Sequence, residues 1–223
     1  VCRKYDPKIV TVSAKHFEHA QETAFDVKCN SADSNTKAAA AGKYVFIAVK
    51  PAYVEEVMKE ISGSLRQDAV IISMAAGVSL ERLHAMTMVP VVRIMPNMPA
   101  QIGEAMTALC CGPDVTEKDL ADVTELLECA GKVEKVDEKL MDCVTAVSGS
   151  GPAFVFMFIE ALADAAVRFG MPRSQAYVYA AQTVKGSAAM VLEDERCPGA
   201  LKDAVCSPAG TTIEGVAALE KDG

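Results

Sequence analysis

The first 136 residues alternate between short apolar runs and amphipathic segments. The apolar runs predict strands at residues 9–12, 44–49, 69–74, 89–95, 105–111 and 132–136. The segments between them have helical periodicity at 15–23, 51–61, 80–86 and 117–130. Strands with few polar positions, separated by helices of about ten residues, are typical of a sheet covered on both faces. The pattern predicts an α/β fold with a doubly wound, Rossmann-type parallel sheet.

The pattern changes near residue 137, after which we find no convincing strand. Helical spacing predicts helices at 140–147, 153–169, 173–193, 199–206 and 211–219. We therefore expect two domains, a doubly wound α/β domain over residues 1–136 and an all-helical domain over residues 137–223.

The predicted helix at 153–169 is apolar over most of its circumference. Its polar residues Glu160, Asp164 and Arg168 recur every four positions and form one narrow stripe. Such a helix needs cover on nearly every side, and a domain of under about 90 residues supplies little of it. We expect a second copy of the chain to provide part of the cover; the alternative is a helix central in its own domain.

Charge and cysteine content narrow the class of protein. The net charge of −8 argues against nucleic acid or an anionic membrane as the main partner. The eight cysteines lack CxxC spacing, which favours reduced thiols in the cytoplasm. We expect no signal peptide, and Glu160 and Asp164 argue against a membrane span at the most apolar stretch. The three histidines lack partners at metal-ligand spacing, so no metal site is expected.

The chain contains no G-x-G-x-x-G sequence. The partial match at 149–151, Gly-Ser-Gly, precedes a proline and is interpreted as a close approach of two helices. Because the chain opens with loop-like residues before what resembles a second strand, we expect one strand, one glycine loop and one helix to precede it. Ser13 and Lys15 follow the strand at 9–12, where a hydroxyl and a cation suit a 2′-phosphate. This favours NADPH over NADH; the alternative for Lys15 is an ordinary surface lysine.

Three further strand ends carry residues suited to a cofactor cleft. Lys50 and Pro51 follow the second strand, the small residues at 75–77 follow the third, and Asn97 follows the fourth. Ligands of open α/β sheets bind at the carboxyl ends of the strands. We expect Lys50, Pro51, Ala76 and Asn97 to line this cleft.

The last predicted helix begins "SPAGTTIEGV", with two threonines where a single cap suffices. Free N–H groups in a first helical turn bind anions, and Gly210 permits close approach. Gly210, Thr211 and Thr212 therefore form a candidate ligand site.

The motifs "IAVKP", "SMAAGV", "RIMPNMPA" and "KDAVCSPAGTTI", in this order, resemble the pyrroline-5-carboxylate reductase family over essentially the whole chain. The resemblance implies reduction of the cyclic imine Δ1-pyrroline-5-carboxylate to L-proline with NADPH or NADH. It also implies a dinucleotide-binding domain over residues 1–136, a helical domain for substrate binding and dimerisation over residues 137–223, and a homodimer of a family whose dimers often assemble further into decamers.

Site residues follow from the same resemblance. Ser13 is similar to a residue at the adenosine 2′-phosphate and Asn35 to a cofactor ribose contact. The cofactor positions also include Val49, Lys50 and Ala76. The implied substrate contacts are Glu138, Thr211 and Thr212, and we hypothesise that the Thr212 hydroxyl reaches the imine nitrogen. Ala209 departs from the family by standing where glycine is common.

Two other readings share parts of this plan. One is a β-hydroxyacid dehydrogenase or imine reductase, which needs a catalytic Lys or Asp on the helix after Gly-x-Gly; residues 152–159 contain neither. The other is a non-catalytic nucleotide-binding dimer.

Overall fold

The computed structural model describes residues 1–2 and 4–221 and divides into two compact units. The first unit is Val1–Pro152 and the second begins at Ala153. The sequence places the boundary earlier, after residue 136. The segment between the two positions packs on the sheet of the first unit, where Met141 is fully buried.

Among the described residues of the first unit, seven strands form two sheets. The strands are β1 (Thr11–Val12), β2 (Asn30–Ser31), β3 (Tyr44–Ile47), β4 (Val70–Ser73), β5 (Val91–Met95), β6 (Ala105–Cys111) and β7 (Gly131–Lys135). β1 and β2 pair in parallel, and the other five form a sheet of order β3-β4-β5-β6-β7. Sequence analysis missed β2, whose two polar residues have no apolar alternation. A Rossmann-type sheet followed by helices is confirmed.

The five-stranded sheet is parallel except where β6 runs antiparallel to β5. Only the stretch 96–104, with a 3₁₀ turn at Met98–Ile102, joins these two strands. A parallel crossover needs about a dozen residues or more. The chain therefore reverses direction at this point, a feature that the strand pattern alone did not reveal.

In the part of the first unit that the structure describes, six α-helices accompany these strands. They are α1 (Phe17–Val27), α2 (Asn35–Ala41), α3 (Val54–Ile61), α4 (Leu80–His84), α5 (Glu117–Glu128) and α6 (Met141–Val144). α2 was not predicted, because its sequence NTKAAAA has no apolar stripe. Its start is specified by Ser34, whose hydroxyl accepts a hydrogen bond from the Lys37 N–H.

The two faces of the sheet carry separate apolar clusters. One cluster packs β3–β5 against α3 and α4, with Met58, Ile61 and Leu83 almost completely buried. The other packs β4–β6 against α5 through Val123 and Leu127. Burial on both faces explains why the central strands are nearly continuous apolar runs.

A cavity of about 490 Å³ separates the β1–β2 pair from the β3 edge of the larger sheet. Residues 9–13 line one side and residues 43–49 line the other, with alanines of α2 among the remaining wall. Most of the lining is apolar. The carboxyl ends of β1 and β3 both open at this cavity.

The second unit is built from helices. They are α7 (Gly151–Arg168), which begins in the first unit, α8 (Arg173–Glu193), α9 (Pro198–Val205) and α10 (Thr211–Lys221). A π-helical turn, Thr145–Gly149, precedes α7 directly, so the Gly-Ser-Gly of 149–151 lies in continuous helical structure. α7 and α8 pack through Ala163, Ala176 and Ala180.

Within the unit, α7 exposes apolar side chains over most of its circumference. Phe154, Phe156, Met157 and Phe158 are each about half exposed or more. The helical stretch Glu138–Arg168 is long and apolar enough to cross a membrane by length and composition alone. Large exposed apolar side chains that lie next to one another also mark a surface that another protein chain covers.

Candidate active site

A chain of hydrogen bonds joins three side chains at the carboxyl end of β1. The Ser13 hydroxyl donates to Asn35 Oδ1 at 2.9 Å, and Asn35 Nδ2 donates to Glu60 Oε2 at 2.8 Å. Ser13 follows β1, Asn35 is the first residue of α2, and Glu60 lies in the last turn of α3. The structure thus brings together Ser13 and Asn35, two sequence-predicted cofactor residues, and adds Glu60, which sequence reasoning missed.

Lys15 lies near the same strand end. Its Nζ is 6.0 Å from the centre of the Tyr53 ring, in the geometry of a cation–π contact. Tyr53 ends the 3₁₀ turn Pro51–Tyr53, which begins with the predicted residues Lys50 and Pro51, and the Tyr53 N–H donates to the Lys50 carbonyl. Lys15 and Lys50 are exposed cations on an acidic protein. They provide the local positive charge that an anionic ligand needs.

Val49 and Ala76 lie at neighbouring strand ends. Val49 is half-buried and packs on the core beside β3, whereas Ala76 is exposed after β4. Gly77 has φ +72°, and a Cβ built on it meets no atom within 4 Å. The backbone at 76–77 is therefore open to a flat ligand, as the small residues predict.

The Asn97 amide is held in a loop contact. Its Nδ2 donates to the carbonyl and the hydroxyl of Ser148, both at 3.2 Å, and its Oδ1 accepts from the Met106 N–H at 3.0 Å. These bonds tie the β5–β6 connection to the π-helical turn. Both polar atoms of the Asn97 amide thus already have partners within the protein. Direct binding of a cofactor by this side chain stays a prediction.

Glu138 forms an ion pair with a buried arginine of the sheet. Arg93, in the middle of β5, has a side chain that is 5% exposed, and its Nη1 lies 3.0 Å from Glu138 Oε1. The same carboxylate oxygen accepts from the Leu80 N–H at the start of α4, at 2.6 Å. Sequence reasoning missed Arg93 because an isolated charge in an apolar strand run carries no periodic signal. Glu138 is one third exposed, so its carboxylate also reaches solvent.

The thiol of Cys110, which lies close to Glu138 and Arg93, is unreactive. Burial, with a further contribution from Glu138, raises the pKa of Cys110 to about 11. At neutral pH the thiol is therefore protonated and is neither a nucleophile nor a metal ligand. The groups around Glu138 can therefore act on a ligand through hydrogen bonds and charge, and not through the thiol.

In the second unit, Thr211 and Thr212 are exposed at the start of α10. The preceding turn is tight: the Gly210 N–H donates to the Ser207 carbonyl at 3.0 Å, and a Cβ on Gly210 would lie 2.3 Å from Ser207 Oγ. Ala209 has φ +57°, a conformation that glycine adopts more easily. The turn thus presents the free N–H groups of the first helical turn, together with two hydroxyls, to solvent within this unit.

Comparison with known proteins finds a matching family for each of the two parts of the chain. Residues 138–223 match the family described as pyrroline-5-carboxylate reductase dimerisation, and residues 2–77 match the family of coenzyme F420-dependent NADP oxidoreductases. The pyrroline-5-carboxylate reductase of Escherichia coli is 49% identical over 199 residues, which cover 87% of this chain and 73% of that protein.

Solved structures agree with this assignment. The pyrroline carboxylate reductase of Plasmodium falciparum, solved with NADP bound, superposes with a TM-score of 0.89 at 30% identity over 99% of this chain and 82% of that one. The enzyme of Streptococcus pyogenes superposes with the same TM-score at 37% identity over 100% of this chain and 85% of that one. The chain belongs to the pyrroline-5-carboxylate reductase family.

Proposed function

We propose that this protein reduces Δ1-pyrroline-5-carboxylate to L-proline with NADPH, the last step of proline biosynthesis. The observation that carries the proposal is the hydrogen bond between Ser13 and Asn35 at the end of β1. These residues are 22 positions apart, and the family resemblance assigns both to the adenosine end of the cofactor. The reaction is inferred from the relatives, which are pyrroline-5-carboxylate reductases, and the side chains at the end of β1 suit the cofactor of that reaction.

The residues at the strand ends suit NADPH. Ser13, Asn35 and Lys15 would hold the adenosine ribose and its 2′-phosphate, because they offer a hydroxyl, an amide and a cation. Lys50, Pro51, Val49 and Ala76 would line the cleft beyond them, where the backbone at 76–77 is open. When bound, NADPH supplies a hydride from its reduced nicotinamide. NADH offers the same chemistry without the 2′-phosphate.

The start of α10 suits the substrate. Its first-turn N–H groups and the positive end of the helix dipole would bind the substrate carboxylate, and the small Gly210 would let that carboxylate approach. Thr211 and Glu138 are further proposed contacts. The Thr212 hydroxyl would donate a hydrogen bond to the imine nitrogen and so favour hydride addition at the adjacent carbon. The protein's main contribution is to hold the reacting atoms in place.

Residues 138–223 carry a dimerisation domain. The exposed apolar side chains of α7 support a homodimer in which a second copy covers part of them, Phe154 and Phe158 among these. Further assembly into a decamer of five dimers is part of the proposal, as is location in the cytoplasm, where the free cysteines of the described chain stay reduced.

The proposal is tested by following the NADPH absorbance at 340 nm, which falls as Δ1-pyrroline-5-carboxylate is reduced. The controls are an unrelated cyclic imine with NADPH and a β-hydroxyacid with NADP⁺, whose oxidation would make the absorbance rise. We expect turnover with the first substrate and at least about 100-fold lower kcat/KM with the others. Equal activity toward the hydroxyacid would favour the dehydrogenase reading. Tight nucleotide binding without any turnover would favour the non-catalytic dimer.

A further inference from the structure

We propose that Glu60 is a positioning residue that sets the hydrogen-bond direction at Ser13 and thereby limits the enzyme's preference for NADPH over NADH. The inference rests on the proposed function, because it concerns the same cofactor site. Glu60 lies on α3 and reaches the site through Asn35.

The direction of the hydrogen-bond chain follows from the chemistry of its last member. A carboxylate accepts hydrogen bonds and donates none, so the atom of Asn35 that faces Glu60 must be the donor Nδ2. The other end of the amide, the acceptor Oδ1, then faces Ser13. The single hydroxyl proton of Ser13 is therefore donated to Asn35, at 2.9 Å.

This direction favours one type of cofactor ribose. With its proton engaged, Ser13 Oγ offers only lone pairs to a ligand, and these suit the hydroxyl donor of an unphosphorylated ribose. A 2′-phosphate is acceptor-only at its oxygens, so Ser13 must release Asn35 before it can donate to the phosphate. NADPH thus loses one internal hydrogen bond on binding that NADH keeps.

The negative charge of Glu60 also weakens the binding of NADPH relative to NADH. The Glu60 carboxylate lies two hydrogen bonds from Ser13 Oγ, where it repels a 2′-phosphate. Within the described part of the chain, no lysine or arginine forms an ion pair with Glu60. Lys15, close to Tyr53, supplies the opposing attraction. The preference for NADPH is accordingly a balance between Lys15 and Glu60.

The test uses Glu60→Gln, which keeps the size of the side chain but removes the charge and, because an amide donates as well as accepts, no longer fixes the direction of the hydrogen bond to Asn35. Calorimetric titration measures the Kd of adenosine 2′,5′-bisphosphate and of adenosine 5′-monophosphate. We expect the bisphosphate to bind about three- to tenfold more tightly than to the wild type, the combined scale of one hydrogen bond that is no longer lost and one screened charge repulsion that is removed. Binding of the monophosphate should change less than about twofold.

Glu56→Gln is the matched control, because Glu56 is exposed on the same helix one turn before Glu60 and carries the same charge. We expect it to change the bisphosphate Kd by less than about twofold. A second comparison places Glu60→Gln in a Ser13→Ala background. If Glu60 acts through Ser13, the gain in bisphosphate affinity shrinks there, an outcome that a merely structural role would not produce.

The kinetic counterpart is the ratio of kcat/KM for NADPH to that for NADH, which should rise with the bisphosphate affinity. An unchanged ratio in Glu60→Gln, or equal effects of Glu60→Gln and Glu56→Gln, would overturn this inference while leaving the reductase function intact. A wild-type enzyme that binds neither nucleotide and oxidises no NADPH would overturn both.

Discussion

Replacement of Glu138 by alanine is expected to destabilise the first unit strongly. The substitution removes the carboxylate that pairs with Arg93 at 3.0 Å and accepts from the Leu80 N–H at 2.6 Å. It leaves the guanidinium, in a side chain that is only 5% exposed, with Asp142 at 3.9 Å as its remaining ion-pair neighbour in the described chain.

The size of the effect follows from this burial. Breaking a fully buried ion pair costs about 3–5 kcal/mol, because one charge is left uncompensated. Glu138 is one third exposed, so water can partly replace it, and we expect a loss of about 2–3 kcal/mol in the free energy of unfolding. Glu138→Gln, which keeps an acceptor oxygen, should lose about 1 kcal/mol.

Urea unfolding followed by far-ultraviolet circular dichroism measures this loss, since the chain has no tryptophan for fluorescence. Asp137→Ala is the matched control: Asp137 pairs with Lys139, but both side chains are at least 70% exposed. We expect the control to lose less than about 0.5 kcal/mol. A Glu138→Ala protein as stable as the control would refute the structural role assigned to this ion pair.

Three further predictions concern other positions. Ala209→Gly should raise stability by up to about 1 kcal/mol in thermal unfolding, because it relieves the φ of +57°; a lower melting temperature would contradict this. Gly131→Ala should cost more than about 3 kcal/mol or prevent folding, since its Cβ would lie 2.2 Å from the Ala105 carbonyl oxygen; near-wild-type stability would show that the backbone yields easily. The Lys43 ammonium holds the pKa of Asp119 below its ordinary value, so the stabilisation is present above the pKa of the unfolded chain and is lost as pH falls through the folded one. The stability gap between wild type and Asp119→Asn should therefore be constant above about pH 5 and should narrow as pH falls below the ordinary pKa of 3.8; a gap that does not narrow on acidification would refute this assignment.

Much of the fold could be predicted where packing and periodicity agree. The strand at 105–111 and the helix at 173–193 have the predicted bounds, because a buried strand and a helix that follows a Gly-Met-Pro turn each leave a strong local signal. β2 and α2 were missed because two polar residues and a run of alanines carry no apolar period. The antiparallel pairing of β6 is set by the length of a connection, which the strand pattern does not report.

The site was predictable only in part, for a related reason. Ser13, Lys50 and Ala76 follow strand ends, and ligands of open α/β sheets bind at the carboxyl ends of the strands. Glu60 and Arg93 act through partners that are 25 and 45 positions away in sequence. No local pattern marks such a pair, so these residues emerged only from the structure.

The central claim is that the Thr212 hydroxyl, at the start of α10, activates the imine of the bound substrate. The most direct measurement is the single-turnover rate of NADPH oxidation in stopped flow for Thr212→Val, which removes the hydroxyl and keeps the shape, beside Thr212→Ser, which keeps the hydroxyl. The account predicts a rate about 10- to 100-fold lower for the valine variant, from the loss of one hydrogen bond of roughly 1.5–3 kcal/mol, and a rate within about threefold of wild type for the serine variant. A valine variant as fast as wild type would contradict it.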